Sequence, residues 1–316
     1  MKKFASFLCL LLSNSGFAAP VEVPGFPSIP ETYLTIIEEK TVPQERCRSV
    51  NVQSCGYNLV GVFHTPTTPM PEGGYPTVIF FHGFRGNCYG SDGVYRELAY
   101  LLASNGIAVA RFDMAGCGNS EGICDQIPAR TYLRNGEDIL AAVSKYPEVN
   151  AHRIGVAGVS LGCHTTIHLA SSYKPRDYTI RAISVWAPVA DGIILLKEIC
   201  STIGMSNLAD SSAADSVGKA FGFKNLPIKL CREDIDFFLG IQDHVLMLSL
   251  PKKIPILHQH GLKDCIVSMS HQRLFLGAAP AQMCFKIYAD TQHDIASSPY
   301  RQQALQDILM HFQSNL

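Results

Sequence analysis

The chain has 316 residues, with 26 lysines and arginines against 27 aspartates and glutamates and a hydrophobic content of 47%. That composition belongs to compact globular chains and excludes an intrinsically disordered one. Near-neutral charge, with no basic run longer than two residues, weighs against polyanion binding, so no nucleic-acid partner is expected.

Met1, Lys2 and Lys3 form a short basic start, followed by a mostly apolar run at 4–12 and small or polar residues at 13–19. This is the pattern of a cleaved secretory signal over 1–19, with cleavage expected after Ala18 or, second, after Ala19. The expected location is therefore the periplasm or the exterior. A nine-residue apolar run cannot span a ~30 Å hydrocarbon core as a helix, and no later stretch is long and apolar enough, so stable membrane insertion is not expected. Loss of Lys2 and Lys3 leaves 24 positive against 27 negative residues, a net charge of −3. Cys9 would leave with the signal, and the ten remaining cysteines favour at least one disulfide in an oxidising compartment. Cys47 with Cys55 and Cys117 with Cys124 are the close-spaced candidates. No CxxC pair exists, and no metal centre is expected.

Residues 20–33 carry four prolines and read as an extended leader. Over 34–63 an antiparallel pair is expected, one strand beginning at 34–38 and the other at 57–63. A Pro/Gly loop then leads to TVIFF at 77–81, a continuous apolar run of the kind a strand buried on both faces needs. Strand and helix alternate from there: helix 95–104, strand 107–112, helix 131–145, strand 153–157, helix 163–171, strand 180–186. Such alternation predicts crossovers onto a mostly parallel sheet with helices on both faces. Residues 191–250 break the rhythm with three expected helices, at 192–203, 207–219 and 231–249, and read as an inserted helical cap. Strand 254–258, helix 270–276, strand 283–287 and helix 300–312 close a domain expected over 34–316.

The strongest local signal is Gly158-Val159-Ser160-Leu161-Gly162, directly after a strand and directly before an apolar-periodic helix. In that setting the motif is a nucleophile elbow, a sharp turn that lifts a serine hydroxyl above the sheet edge. Small residues flank the serine because the strained turn brings backbone close to neighbouring strands. A serine hydroxyl needs a base and an orienting acid, presented in chain order after later strands. His293 is the expected base. Asp264, after the strand ending at His258, is the favoured acid; Asp191 is a rival that would otherwise cap the first cap helix. Asp290 is too near His293 in sequence to orient it. Two backbone amides should hold the oxyanion: Leu161, at the helix N-terminus, and Phe84 in the loop HGFRGN. In that loop His82 is expected to hold the chain in place rather than transfer protons.

Taken in order, HGFRGN, RFDMAGCGNSEG at 111–122, GVSLG, HGLKD and QHD resemble the alpha/beta-hydrolase superfamily. More narrowly they are similar to bacterial feruloyl/cinnamoyl-type esterases and serine-aminopeptidase-like hydrolases. The likeness covers about 34–312 and implies an alpha/beta-hydrolase fold: a mostly parallel eight-stranded sheet with helices on both faces and a small helical cap. It implies Ser160 as nucleophile, Asp264 as acid, His293 as base, and Phe84 with Leu161 at the oxyanion hole. It also implies a structural loop over 113–121, with Arg111 and Asp113 paired. Cys117 and Cys163 depart from the residues more usual at their positions and leave the class standing.

The function expected is hydrolysis of carboxylic esters of small or aromatic acyl groups, with a small-molecule ester as partner and no cofactor. The pocket is expected among Phe84, Arg85, Leu161, Leu195 and Leu246, beside Ile194 and Met247 of the cap. Amides and thioesters use the same machinery, so a peptidase or thioesterase stays open, as does a catalytically silent binding protein on this scaffold. The sequence leaves the oligomeric state open. His164 and His168 have metal-ligand spacing but no Glu between them in the HExxH manner, and Trp186 reads as core.

Overall fold

The computed structural model describes residues 44–172, 177–202, 230, 232–251, 253–278 and 283–316. The expected signal, the leader, the strand start at 34–38 and the cap helix at 207–219 lie outside the described residues.

Glu45–Ser54 (β1) and Tyr57–Pro66 (β2) form the opening hairpin. Cys55 and Gly56 turn it with φ of 52° and 82°, the paired left-handed conformation that suits a two-residue hairpin loop. The partner of β2 is thus 45–54 and not the 34–38 segment. Only the second half of β1 buries alternate residues, Val50 and Val52, while Arg46 and Arg48 stay exposed. A half-polar strand of this kind carries little period-two signal. The hairpin also removes one disulfide candidate. Cys47, near the start of β1, and Cys55, in the turn after it, are roughly 26 Å apart at strand rise, and both are free thiols.

Tyr75–Phe81 (β3) is buried at every position. After it come Val94–Ser104 (α1), Ala108–Phe112 (β4), Thr131–Val143 (α2), Val149–Val159 (β5), Leu161–Ser171 (α3) and Ile180–Trp186 (β6). The described part of the cap holds Gly192–Thr202 (α4), Arg232–Leu239 (α5) and Asp243–Leu246 (α6). The single helix expected over 231–249 is therefore two helices separated at 240–242. Gly240 caps the end of α5, its amide bonding to the Asp236 and Phe237 carbonyls, and the chain restarts at Asp243. Ile256–Gly261 (β7), Met269–Ala278 (α7), Met283–Tyr288 (β8) and Arg301–Asn315 (α8) finish the fold.

The eight strands form one sheet in the order β1-β2-β4-β3-β5-β6-β7-β8. Every neighbouring pair from β4 to β8 is parallel, and β2 is antiparallel to both β1 and β4. Two apolar cores follow, one on each face. Ile139, Leu140, Ile167 and Phe275 fill one from α2, α3 and α7, and Leu98, Leu102, Ile308 and Phe312 fill the other from α1 and α8. No helix among the described residues is long and apolar enough to cross a membrane.

On α8, His311 donates from Nε2 to the Ile183 carbonyl at 3.0 Å, and burial pushes its pKa down to about 4 from the ordinary 6.5. The unfolded chain takes up that proton as pH falls through 6.5, and the folded chain only near 4. Stability is therefore full above 6.5 and declines toward 4. At pH 5 this one group should cost about 1–2 kcal/mol. Urea unfolding of His311→Gln, which keeps a donor and loses the titration, should show a flatter fall between pH 7 and 5 by about that amount.

Candidate active site

The carboxyl ends of β3, β5, β7 and β8 converge on one cavity of about 380 Å³, the edge at which parallel α/β sheets bind ligands. Ser160 sits between β5 and α3 with φ 54° and ψ −119°, a strained backbone for a residue with a side chain. Its amide donates to the Trp186 carbonyl at 2.9 Å and its carbonyl accepts from Cys163 at 2.9 Å, so hydrogen bonds to β6 and α3 hold the turn. The flanking glycines are obligatory. A Cβ at Gly158 would stand 2.2 Å from the Gly162 oxygen, and one at Gly162 would stand 2.2 Å from the Phe81 oxygen. Cys163, fully buried, donates its thiol to the Gly158 and Trp186 carbonyls at 3.1 Å each and packs as a small core residue.

His293 lies in the loop after β8, and its Nδ1 is 2.7 Å from Asp264 Oδ2. That hydrogen bond places the imidazole proton on Nδ1 and leaves Nε2 as the basic nitrogen. Asp264 follows β7. Its Oδ1 accepts the Ile266 and Val267 amides at 2.9 Å each, and His260 stands 3.6 Å from Oδ2. Burial raises the Asp264 pKa, but the His293 hydrogen bond and charge, His260 and the Val267 amide outweigh it and hold the carboxyl below its ordinary value. Asp264 stays ionised. The rival acids are engaged elsewhere. Asp191 accepts the Ile194 amide at 3.1 Å and caps α4, while Asp290 pairs with Lys263 at 2.6 Å on the surface.

The 83–87 loop after β3 closes one side of the cavity. A Cβ on Gly83 would lie 3.2 Å from Ser160 Cβ, so this loop packs directly against the serine. His82 is fully occupied in shaping it. Nε2 accepts the Met114 amide at 3.0 Å, which puts the proton on Nδ1 for the Gly83 carbonyl at 2.7 Å. Phe84 and Arg85 line the cavity with Ser160, His293, Tyr95, Val159, Ile266 and others. Leu161 and Leu195 are buried in the core, and Leu246 packs against it; none of these three is among the residues that line the cavity. Tyr95 and Ile266 do line it without having been expected. Tyr95 is half-buried at the start of a helix whose period accounts for it as core, and Ile266 owes its place to the turn that the Asp264 carboxylate makes.

Two further side chains hold the loops that line the cavity. Tyr132 on α2 accepts the Arg85 amide through its hydroxyl at 3.0 Å. Trp186, stacked on Tyr288, donates its indole N–H to the His293 carbonyl at 2.9 Å. Neither role has a local motif, because each partner lies far along the chain. Arg111 and Asp113 are not paired with each other. Arg111 bonds to His64 Nε2 and the Cys88 carbonyl, whereas Asp113 accepts the Cys88 and Asn119 amides at 2.6 and 2.8 Å. Asp113 lies past the end of β4 and turns into its own loop, out of the row that Arg111 occupies.

Metal-ligand spacing on α3 is likewise used otherwise: His164 pairs with Asp243 at 2.6 Å and His168 approaches Glu137 at 3.7 Å. Glu45, Cys47 and His64 cluster within ligand distance of one another. There, Arg111 donates to His64 Nε2, which puts the ring proton on Nδ1 for Glu45 at 2.7 Å. A cation at Nδ1 would have to expel that proton beside a buried guanidinium.

Residues 75–199 match the family model described as serine aminopeptidase, S33. Solved structures are similar over most of the chain. The complex of DcsB with its substrate analogue has a TM-score of 0.65 and 16% identity, over 86% of this chain and all of that one. The acylaminoacyl peptidase of Pyrococcus horikoshii has a TM-score of 0.63 and 19% identity, over 90% of this chain and 44% of that one. The chain has the alpha/beta-hydrolase fold. Among curated proteins, the chain is similar to the mitochondrial palmitoyl-protein thioesterase ABHD10 of Rattus norvegicus, 26% identical over 202 residues. That match covers 62% of this chain and spans 61% of the relative's length.

Proposed function

We propose that this hydrolase cleaves carboxylic esters of small or aromatic acyl groups through an acyl-enzyme on Ser160. The observation that carries the reading is the His293 Nδ1–Asp264 Oδ2 bond of 2.7 Å on a histidine that shares one cavity with Ser160. His293 Nε2 takes the Ser160 proton as Oγ attacks the ester carbonyl. The Phe84 and Leu161 amides hold the oxyanion, and the alcohol leaves with the proton from His293. Water, deprotonated by the same nitrogen, then releases the acid. A cavity of about 380 Å³, with Phe84, Tyr95, Val159 and Ile266 in its wall, supports compact acyl groups over long chains.

The test is turnover of p-nitrophenyl acetate, butyrate and octanoate by the full-length protein, with fluorophosphonate labelling mapped to its site. The short esters should exceed octanoate by about tenfold. Faster cleavage of acyl thioesters than of oxygen esters would favour a thioesterase, as the likeness to ABHD10 suggests. Preference for aminoacyl amides would favour a peptidase. Absence of labelling at Ser160 would leave a binding protein.

The acid can be tested separately. Asp264→Asn should lower kcat by about 10³–10⁴ while KM changes little, because the histidine loses its orienting partner and the charge that stabilises imidazolium. Asp191→Asn and Asp290→Asn should stay within about twofold. A large loss in Asp191→Asn, with Asp264→Asn active, would reassign the acid.

A further inference from the structure

Three loops meet behind the cavity wall at Arg85. Its guanidinium lies 3.4 Å from Asp234 on α5 and 3.8 Å from Asp125, over the Phe84 ring. Its backbone amide is held by the Tyr132 hydroxyl, and that hydroxyl is itself 3.2 Å from Cys117 Sγ. Cys117 thus reaches the arginine-bearing loop through Tyr132, while Asp125, the residue after Cys124, faces the Arg85 guanidinium.

The backbone brings them together. Gly116, at φ 75°, donates to the Glu121 carbonyl at 2.8 Å, and Ser120 donates to the Cys117 carbonyl at 2.9 Å, which folds 116–124 back on itself. A Cβ on Gly116 would stand only 3.0 Å from Cys124 Cα. Cys117 is buried and Cys124 half-buried beside the exposed Ile123, so reagents in solvent reach the pair from the Cys124 side.

We propose that Cys117 and Cys124 form a dithiol site that a low-molecular-weight disulfide oxidises, pinning the 116–124 loop against the Phe84–Arg85 segment. Cys124 is the attacking thiol. The neighbouring Cys117 thiol lowers its pKa, burial opposes this, and the Arg85 guanidinium lowers it further, whereas Cys117, beside Cys124 and buried, is raised. The Cys124 thiolate attacks one sulfur of the oxidant and expels a thiolate, giving a mixed disulfide. Cys117, releasing its proton, then attacks Cys124 Sγ and expels the second thiolate. Two protein thiols and one small disulfide become one protein disulfide and two small thiols. No other redox partner is needed.

The linkage is independent of the hydrolytic reading and is measured without turnover. The full-length protein is equilibrated with oxidised glutathione, alkylated under denaturing conditions and digested with trypsin. Both cysteines fall within one tryptic peptide, 112–130, since Arg111 and Arg130 bound a stretch with no other lysine or arginine. That peptide should appear unalkylated and lighter by two hydrogens, and in Cys124→Ser it should carry one alkyl group on Cys117. A doubly alkylated peptide from the wild type, or Cys117 linked to a cysteine of another peptide, would overturn the site. Oxidation should raise Tm by ~3 °C, and the rise should vanish in Cys117→Ser. An unchanged Tm in a fully linked sample would overturn the pinning of the loop.

Discussion

Replacing Ser160 with alanine should reduce ester turnover by about 10⁴–10⁶ and abolish fluorophosphonate labelling, with no loss of fold. The side chain removed is small, and the turn that carries it rests on backbone bonds that alanine retains: Ser160 N–H to Trp186 and Cys163 N–H to the residue 160 carbonyl. Alanine must still accept a φ of 54°, but serine accepts the same strain, so the change in stability should be under about 1 kcal/mol. His293→Ala should fall in the same range of activity loss, because nucleophile and base act as a unit. The check is kcat on p-nitrophenyl butyrate beside a thermal melt of each variant. Residual activity within tenfold of wild type in Ser160→Ala would remove Ser160 as the nucleophile.

The second large effect is on folding. Gly162→Ala should destabilise the protein by at least about 4 kcal/mol and leave little soluble product, although alanine is otherwise the better helix former. The new methyl would stand 2.2 Å from the Phe81 oxygen and 2.7 Å from the His82 oxygen, both backbone atoms of the strand and loop beside it. Neither can withdraw without pulling β3 away from β5. Gly158→Ala meets the Gly162 carbonyl at 2.2 Å and should behave alike. Soluble expression and urea midpoints measure both. A well-folded Gly162→Ala would show that the elbow has more room than this packing allows.

The elbow was legible in the amino-acid order because its requirements are local: a strand, two small residues, a serine and a helix within a few positions. The strand ends bearing Asp264 and His293 were legible for a related reason. Continuous apolar runs mark central strands, and the polar residues just after them fall at the same edge of a parallel sheet. What escaped was set by distant partners. The first hairpin strand, half exposed at an edge, has no period to betray it, so its position was misread and with it the Cys47–Cys55 pairing. Arg111 looked like a partner for Asp113 two residues on, yet His64 from β2 and the Cys88 carbonyl hold it. The break at 240–242 hid inside a segment whose apolar content suits one helix as well as two. Tyr132 and Trp186 matter to the site through single hydrogen bonds that no spacing announces.

Trp186 has a practical consequence. It is the single tryptophan of the chain, 2% exposed, stacked on Tyr288 and bonded through its indole to the backbone of His293. All of the protein's indole fluorescence therefore originates one hydrogen bond from the proposed general base. Emission excited at the red edge of the absorption band reports the solvation of that loop with no label attached. The protein carries an optical gauge of its proposed reaction centre, and a red shift that precedes loss of far-ultraviolet dichroism would mark the His293 loop opening before the sheet comes apart.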